Sequence, residues 1–122
     1  MPTSSFRDLH VWQESMRLTA EVYRRTADFP KHELYGLTSQ MRRAAVSVPS
    51  NIAEGKGHRS DREFTKFLLH ARGSLLELET QVLITTDLQY LKQTEGQQLF
   101  EVAEAVCRSL NGLIKAFRDK AA

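Results

Sequence analysis

Few residues in this 122-residue chain could hold a metal ion or act as catalytic groups, since it has four histidines and one cysteine. A bundle of helices supports a carboxylate-bridged di-iron site when Glu-x-x-His pairs face its interior. No histidine follows a glutamate or an aspartate at that spacing. The glycines at 55 and 57 lack the spacing of a phosphate-binding loop, and no serine lies in a nucleophile elbow. We therefore expect no metal, no cofactor and no enzymatic activity.

Basic side chains are the remaining candidates for a binding site. The net charge is only +2, but residues 1–72 carry 12 Lys and Arg against 8 Asp and Glu, whereas residues 73–122 carry 5 against 7. Cations beside a helix N-terminus attract phosphates. The sequence therefore predicts a surface that binds structured RNA or DNA, formed by Arg42, Arg43, Lys56, Arg59, Arg62 and Lys66. The alternative is an ordinary solvated loop with local ion pairs.

The periodicity of apolar residues indicates which elements carry these side chains. Apolar positions recur every three to four residues in four segments separated by short breaks, which is typical of amphipathic helices. The sequence predicts an all-α protein with a single domain, residues 1–122, folded as an antiparallel up-down four-helix bundle. The predicted helices span about 7–29, 33–54, 60–88 and 95–119.

Pro49 interrupts the second predicted helix. Proline lacks an amide donor and clashes with the preceding helical turn, so it bends a helix or ends it. Because the apolar spacing continues from Val48 to Ile52, the sequence favours a kink at Pro49 rather than an end.

Helices two and three carry more apolar surface than one bundle needs. A second apolar line accompanies the core stripe of each helix, and exposed patches of this kind mark contact surfaces. The sequence therefore predicts a homo-oligomer with an interface at Val46, Pro49, Ala53, Leu69, Leu76 and Leu83. The alternative is that helices one and four cover these residues.

Polar residues form a further stripe on the same two helices, at spacings of three and four residues. Its members are Gln40, Arg43, Ser47, Asn51, Glu54, Ser74, Glu77 and Gln81. Such a stripe can form a hydrogen-bond network between subunits, or it can be a plain solvated face. The residue pattern leaves both interpretations open.

Other features concern the compartment in which the protein works. The first residues, MPTSSFRDLHVWQ, contain no apolar segment of the kind that secretory signals have, and no apolar run is long enough to span a membrane. A single cysteine forms no disulfide within the chain. We expect a cytoplasmic protein with no membrane partner.

The sequence resembles a known bacterial family. The run YGLTSQMRRAAVSVPSNIAEG, at residues 35–55, is similar to the signature of four-helix bundle proteins encoded in 23S ribosomal RNA intervening sequences. Three further stretches match: LHVWQ at 9–13, FP at 29–30 and GSLLELETQ at 73–81. The resemblance implies an up-down four-helix bundle that assembles into a ring-like homopentamer. The accessory variability protein of diversity-generating retroelements looks like a relative of this family. That protein is a basic pentamer that binds nucleic acid and a reverse transcriptase.

Two functions are consistent with these observations. The first is a non-enzymatic homo-oligomer that binds structured RNA or DNA through phosphate contacts. The second is a protein-interaction scaffold that docks a protein partner and has no affinity for nucleic acid. Salt-sensitive binding to nucleic acid distinguishes the first function from the second.

Overall fold

Four α-helices make up most of the structure, a computed structural model that describes residues 5–121. They are α1 (His10–Thr26), α2 (Leu37–Lys56), α3 (Asp61–Asp87) and α4 (Gln93–Ala121), with 3₁₀ turns at Phe6–Asp8 and Lys31–Glu33. No strand occurs among the described residues. The prediction of an all-α protein with four helices is confirmed; residues 1–4 and 122 of the predicted domain lie outside the described part of the chain.

The first helix is shorter at both ends than the predicted span of 7–29. Ser5 caps the 3₁₀ turn, because its hydroxyl accepts a hydrogen bond from the Arg7 amide, and Leu9 is then extended at φ −73° and ψ 124°. One extended residue is enough to separate this turn from α1. At the other end α1 stops at Thr26, four residues before a proline, which disfavours helical backbone in the residue that precedes it.

The second helix begins at Leu37, whereas the predicted span began at residue 33. Gly36, the residue before the helix, has no side chain that could cap it. The carboxylate of Glu33 takes over this role by accepting a hydrogen bond from the Leu37 amide at 3.2 Å. That bond, with a second from the Tyr90 hydroxyl at 2.9 Å, lowers the pKa of Glu33.

The remaining helix ends lie close to their predicted positions. α2 continues through Pro49 to Lys56, two residues beyond the predicted end, so the proline does not terminate the helix. α3 spans 61–87 instead of 60–88, and the Ser60 hydroxyl caps it by accepting from the Glu63 amide at 3.2 Å. α4 begins two residues earlier than predicted, at Gln93, and extends to Ala121.

The helices pack around one apolar core in an arrangement consistent with a four-helix bundle. α1 lies against α2 and α4, and α3 lies against the same two helices. Fully buried side chains from every helix meet in the core: Leu18, Val22, Met41, Val48, Ile52, Leu68, Leu75, Leu78, Val82, Leu99, Leu110 and Ile114. Among residues 5–121 we find no helix with the length and apolar character required to cross a membrane.

α2 and α3 approach each other closely at Gly55. A Cβ atom at this position would lie 2.6 Å from the Cβ of Phe67 and 3.0 Å from the ring of Phe64. No side chain fits there without moving one of the two helices. The glycine therefore sets the spacing of α2 and α3 directly before the loop that joins them, residues 57–60.

We predict that Gly55→Ala lowers the free energy of unfolding by about 1–3 kcal/mol, because the added methyl group overpacks the contact with Phe67. Urea unfolding followed by circular dichroism measures this change. The matched control is Gly112→Ala in α4, where a Cβ would meet nothing within 4 Å. The control is expected to raise stability by about 0.5–1 kcal/mol, as for any exposed glycine inside a helix. Unchanged stability of Gly55→Ala would contradict the close packing.

Candidate nucleic-acid interface

Four of the six predicted phosphate-binding residues lie together around the loop between α2 and α3. Lys56 is the last residue of α2, Arg59 lies in the loop, and Arg62 and Lys66 follow in the first turns of α3. We call these four residues the loop cluster. Three are exposed, and Lys56 is half-buried with its Nζ 6.0 Å from the centre of the Phe64 ring. Beside the loop is an open cavity of about 580 Å³, lined by Lys56, Arg59, Phe64 and four neighbouring residues.

Among the described residues, the cations of the loop cluster have no anionic partner within ion-pairing distance. Within residues 5–121, none of the four forms an ion pair or donates a side-chain hydrogen bond, although Glu54, Asp61 and Glu63 are close in sequence. The prediction of local ion pairs in an ordinary loop does not describe this arrangement.

In the described part of the chain, the ion pairs that do form involve α1 and α4 only. Glu21 binds Arg24 at 2.5 Å and Arg25 at 2.8 Å, and Arg25 bridges to Glu95 of α4 at 3.1 Å. The hydrogen bond from Arg24 is the main reason why the pKa of Glu21 lies below its usual value. Arg24 is thus paired within α1 and Arg25 links α1 to α4, whereas the basic residues of the loop cluster have no such partners within residues 5–121.

Arg42 and Arg43 lie apart from the loop cluster. Fourteen residues of helix separate Arg42 from Lys56, which is about 21 Å along the axis. The Arg42 guanidinium donates to the Thr26 hydroxyl at 2.9 Å and lies 4.6 Å from the centre of the Tyr23 ring on α1. Arg43 instead lines a groove between α2 and α3. The predicted set of six is therefore divided between one cluster of four and two separate arginines.

Sequence reasoning missed two features beside the loop. Phe117 of α4 packs edge-on against Phe64 at 4.8 Å, and the Nζ of Lys120 lies 4.9 Å from the Phe117 ring, so α4 brings another cation to this end of the molecule. The second feature is His58, whose ring stacks on Phe67 with centroids 5.1 Å apart. Nothing in the local spacing indicates either contact, because both depend on how separate segments pack.

The polar stripe forms hydrogen bonds within one chain. The hydroxyl oxygens of Ser47 and Ser74 are 2.8 Å apart and connect α2 to α3. The Asn51 amide group donates to the Ser47 carbonyl at 2.8 Å and to its hydroxyl at 2.9 Å. Gln40, Arg43 and Glu77 line the adjoining groove, of about 380 Å³, while Glu54 is exposed.

Gln81 is the buried member of the polar stripe. It is only 5% exposed, and its Oε1 has no hydrogen-bond partner among the residues that the structure describes. Because Gln81 is buried, the stripe is not a wholly solvated face. The hydroxyl groups of Ser47 and Ser74 already have hydrogen-bond partners within one chain and do not need a second subunit.

The predicted interface residues lie on two different sides of the molecule. Val46 follows Arg42 by one helical turn and therefore shares the side of α2 that borders α1, where Met16 and Tyr23 are also exposed. Leu83 lines a groove with Phe100 of α4. Leu69 and Leu76 precede Leu83 at seven-residue spacing on that side of α3, so the polar stripe lies between the two apolar lines.

Burial changes the interface prediction further. Val46, Leu76 and Leu83 are 40%, 50% and 55% exposed, so these three can contact another molecule. Ala53 and Leu69 are half-buried. Pro49 is buried within the chain's own packing and contributes no surface to an interface.

Different charged residues accompany the two apolar sides. We call Met16, Tyr23, Arg42 and Val46 the basic flank, and Leu76, Leu83, Phe100, Glu101 and Glu104 the acidic flank. Neither Glu101 nor Glu104 forms an ion pair within residues 5–121. Burial raises the pKa of Glu79, and the charge of nearby Glu104 raises it further. A cation lies on the same side, since the guanidinium of Arg72 on α3 donates to the Asn111 side chain of α4 at 3.0 Å.

Comparison with known proteins identifies the family of this chain. The sequence model for the 23S rRNA-intervening sequence protein family matches residues 7–112. The chain belongs to this family. The match covers most of the chain and includes α1, α2 and α3 entirely, so the resemblance seen in the sequence is confirmed. The 23S rRNA-intervening sequence proteins are not a known enzyme family, and no curated protein matches the chain.

A solved structure has the same fold. It is the 1.70 Å crystal structure of a protein of unknown function from the S23 ribosomal protein family of Bacteroides thetaiotaomicron VPI-5482. The TM-score is 0.78, and the alignment covers 86% of this chain and 98% of the other at 18% identity. At that identity the similarity concerns the fold alone.

Within the described range 5–121, no group of three His, Cys, Asp or Glu residues is arranged to hold a metal ion.

We predict that the Ser47–Ser74 hydrogen bond couples α2 to α3 by about 0.5–1.5 kcal/mol. Ser47→Ala and Ser74→Ala are each expected to lower the free energy of unfolding, and the double variant should lose less than the two effects combined. Urea unfolding of the four proteins measures the coupling. Ser50→Ala, an exposed position on α2, combined with Ser74→Ala is the control and should be additive. Additive losses for Ser47 and Ser74 would show that the bond contributes nothing.

Proposed function

We propose that this protein is a non-enzymatic, cytoplasmic homo-oligomer that binds structured RNA or DNA through the phosphates. The observation that carries the proposal is the loop cluster, whose four cations lie on the loop and on the helix ends beside it, three of them exposed and none in an ion pair within the described chain. Phosphate contacts with unpaired Lys and Arg supply most of the sequence-independent affinity for nucleic acids. Arg42 and Arg43, at their distance from the loop, are secondary members of the surface.

The surroundings of the loop support this function. The capped start of α3 directs amide groups toward the loop, which favours anions there. Gly55 and Phe67 fix the two helices on either side, so the cations extend from a rigid base. Lys120, on the last described turns of α4, adds positive charge near Phe117.

We propose an antiparallel up-down topology for the bundle, with α2 kinked at Pro49. Contacts between neighbouring helices support the topology, because residue numbers rise along one helix as they fall along the next. Between α3 and α4, for example, Phe64 meets Phe117, while Arg72 binds Asn111. The missing amide of Pro49 in the middle of a continuous helix supports the kink.

The proposed assembly is a ring built from head-to-tail contacts. Exposed leucines on the acidic flank and exposed Met16, Tyr23 and Val46 on the basic flank offer two apolar surfaces on different sides of the molecule. When one surface of each copy binds a different surface of the next copy, the copies form a closed ring if the rotation between neighbours is a whole fraction of a full turn. Five copies, the number implied by the family resemblance, would repeat the loop cluster around the ring and add up its attraction for phosphates. The relation to retroelement accessory proteins stays a prediction.

We predict that Arg59→Glu with Arg62→Glu weakens binding to a structured RNA and to duplex DNA at least tenfold at moderate salt. The slope of log affinity against log salt should fall by about two, since roughly one contact is lost for each reversed cation. Fluorescence anisotropy titrations at several salt concentrations measure both quantities. Lys31→Glu with Lys92→Glu makes the same change in charge at exposed residues outside the loop, and it should reduce binding much less.

Two results would refute the nucleic-acid proposal. One is equal loss of affinity in the loop variant and in its charge-matched control, which would mean that only net charge matters. The other is the absence of salt-sensitive binding by the unaltered protein, which would favour the protein-interaction scaffold.

We also predict that Val46→Glu and Leu76→Glu each dissociate the oligomer while leaving helical circular dichroism intact. In a head-to-tail ring each variant keeps one good surface, so an equimolar mixture should form a dimer that contains one copy of each variant. Light scattering measures the masses, and native mass spectrometry of one isotope-labelled variant identifies the pair. Unchanged mass in both variants contradicts the assigned flanks, and a mixture that stays monomeric contradicts head-to-tail contact.

A further inference from the structure

We infer that the loop between α2 and α3 binds an unpaired nucleotide by stacking its base on His58, while the neighbouring cations hold its phosphates. This inference rests on the proposed function and deepens it, because it names single-stranded segments as the part of the nucleic acid that this site recognises.

The argument begins with the arrangement of aromatic rings. The imidazole of His58 lies nearly parallel to the Phe67 ring, with an interplanar angle of 20° and centroids 5.1 Å apart. Phe67 in turn meets His70 edge-on at 5.9 Å. His58 is exposed, so one face of its ring rests on Phe67 and the other faces solvent. An open aromatic face on a surface that also carries cations is the platform on which unpaired bases stack.

Phe67, on which the His58 ring stacks, is itself packed against α2. Phe67 is half-buried, and its Cβ would be 2.6 Å from any Cβ placed at Gly55. The segment of α3 that carries Phe67 is therefore packed closely against α2. Because Phe67 already supports one face of the His58 ring, that ring loses less freedom when a base stacks on its other face.

The cavity beside His58 supplies both kinds of contact that a nucleotide needs. It has a volume of about 580 Å³, and its lining includes His58, Lys56, Arg59 and the ring of Phe64. Asp61 also lines it and is its one carboxylate. Because two cations outnumber this one carboxylate, the site still attracts a phosphodiester. The carboxylate oxygens can also accept hydrogen bonds from the amino groups of a base.

A duplex does not fit this description. Its bases are stacked on one another and offer only their edges, so a duplex can use the cations but not the open ring of His58. Loops, bulges and single strands present free base faces. The geometry therefore favours these parts of a structured nucleic acid.

The test compares a single-stranded 12-mer of thymidine with an abasic 12-mer that has the same number of phosphates. The intact protein is expected to bind the thymidine strand about five- to a hundredfold more tightly, the range typical of base stacking on one aromatic side chain. His58→Ala should remove this preference and leave binding of the abasic strand unchanged. His58→Phe keeps a flat ring without a charge and should keep the preference.

The outcomes separate this inference from the function on which it rests. Salt-sensitive binding of both strands with equal affinity would overturn base stacking and leave the phosphate-binding function in place. Equal weakening of both strands by His58→Ala would also overturn it, because the histidine would then act through charge or folding. Absence of salt-sensitive binding to either strand would refute the proposed function together with the inference.

Discussion

α2 and α3 can approach closely beside their loop only because position 55 has no side chain. With any larger residue there, the Phe64 and Phe67 rings would have to move away from α2. The contact continues along the two helices to the Ser47–Ser74 hydrogen bond, so both ends of the four-residue connection are held. This packing holds the helix ends that carry Lys56 and Arg62, two members of the loop cluster.

Charge is distributed in a way that separates the stabilising contacts from the proposed binding contacts. Glu21, Arg24, Arg25 and Glu95 neutralise one another and connect α1 with α4. The cations of the loop have no such partners within residues 5–121, which leaves their charge available to a ligand. Surface ion pairs contribute little stability, typically about 0–1 kcal/mol, so pairing those cations would stabilise the fold only slightly. Leaving them unpaired costs the fold little and benefits a phosphate-binding surface.

The two flanks show how a small bundle can present distinct surfaces for assembly. Val46 and Leu76 are apolar residues outside the core stripes of α2 and α3. From the sequence alone, both are predicted to lie in one interface formed by these two helices. In the folded chain they border different neighbours, since Val46 lies beside α1 and Leu76 lies on the side of α4. Arg42 accompanies Val46, whereas Glu101, Glu104 and Arg72 lie on the side of α3 and α4 that carries Leu76.

The number of helices, their approximate bounds and the family could be predicted from the sequence, because they depend on local signals. Apolar spacing identifies a helix, and Ser60 marks a helix start through a hydrogen bond to a residue three positions away. The run at residues 35–55 identifies the family by composition and order. The sequence also concentrates cations between Lys56 and Lys66, where proximity along the chain ensures proximity in space.

Only the tertiary structure decided which of these residues lie on the same surface and which are buried. It separated Arg42 from the loop cluster, buried Pro49, stacked His58 on Phe67 and brought Lys120 next to Phe117. Each outcome depends on the rotation of one helix about its axis and on which neighbour covers it. Those quantities are set by packing between segments far apart in sequence, so local spacing specifies the face of a helix but not the residues that face it.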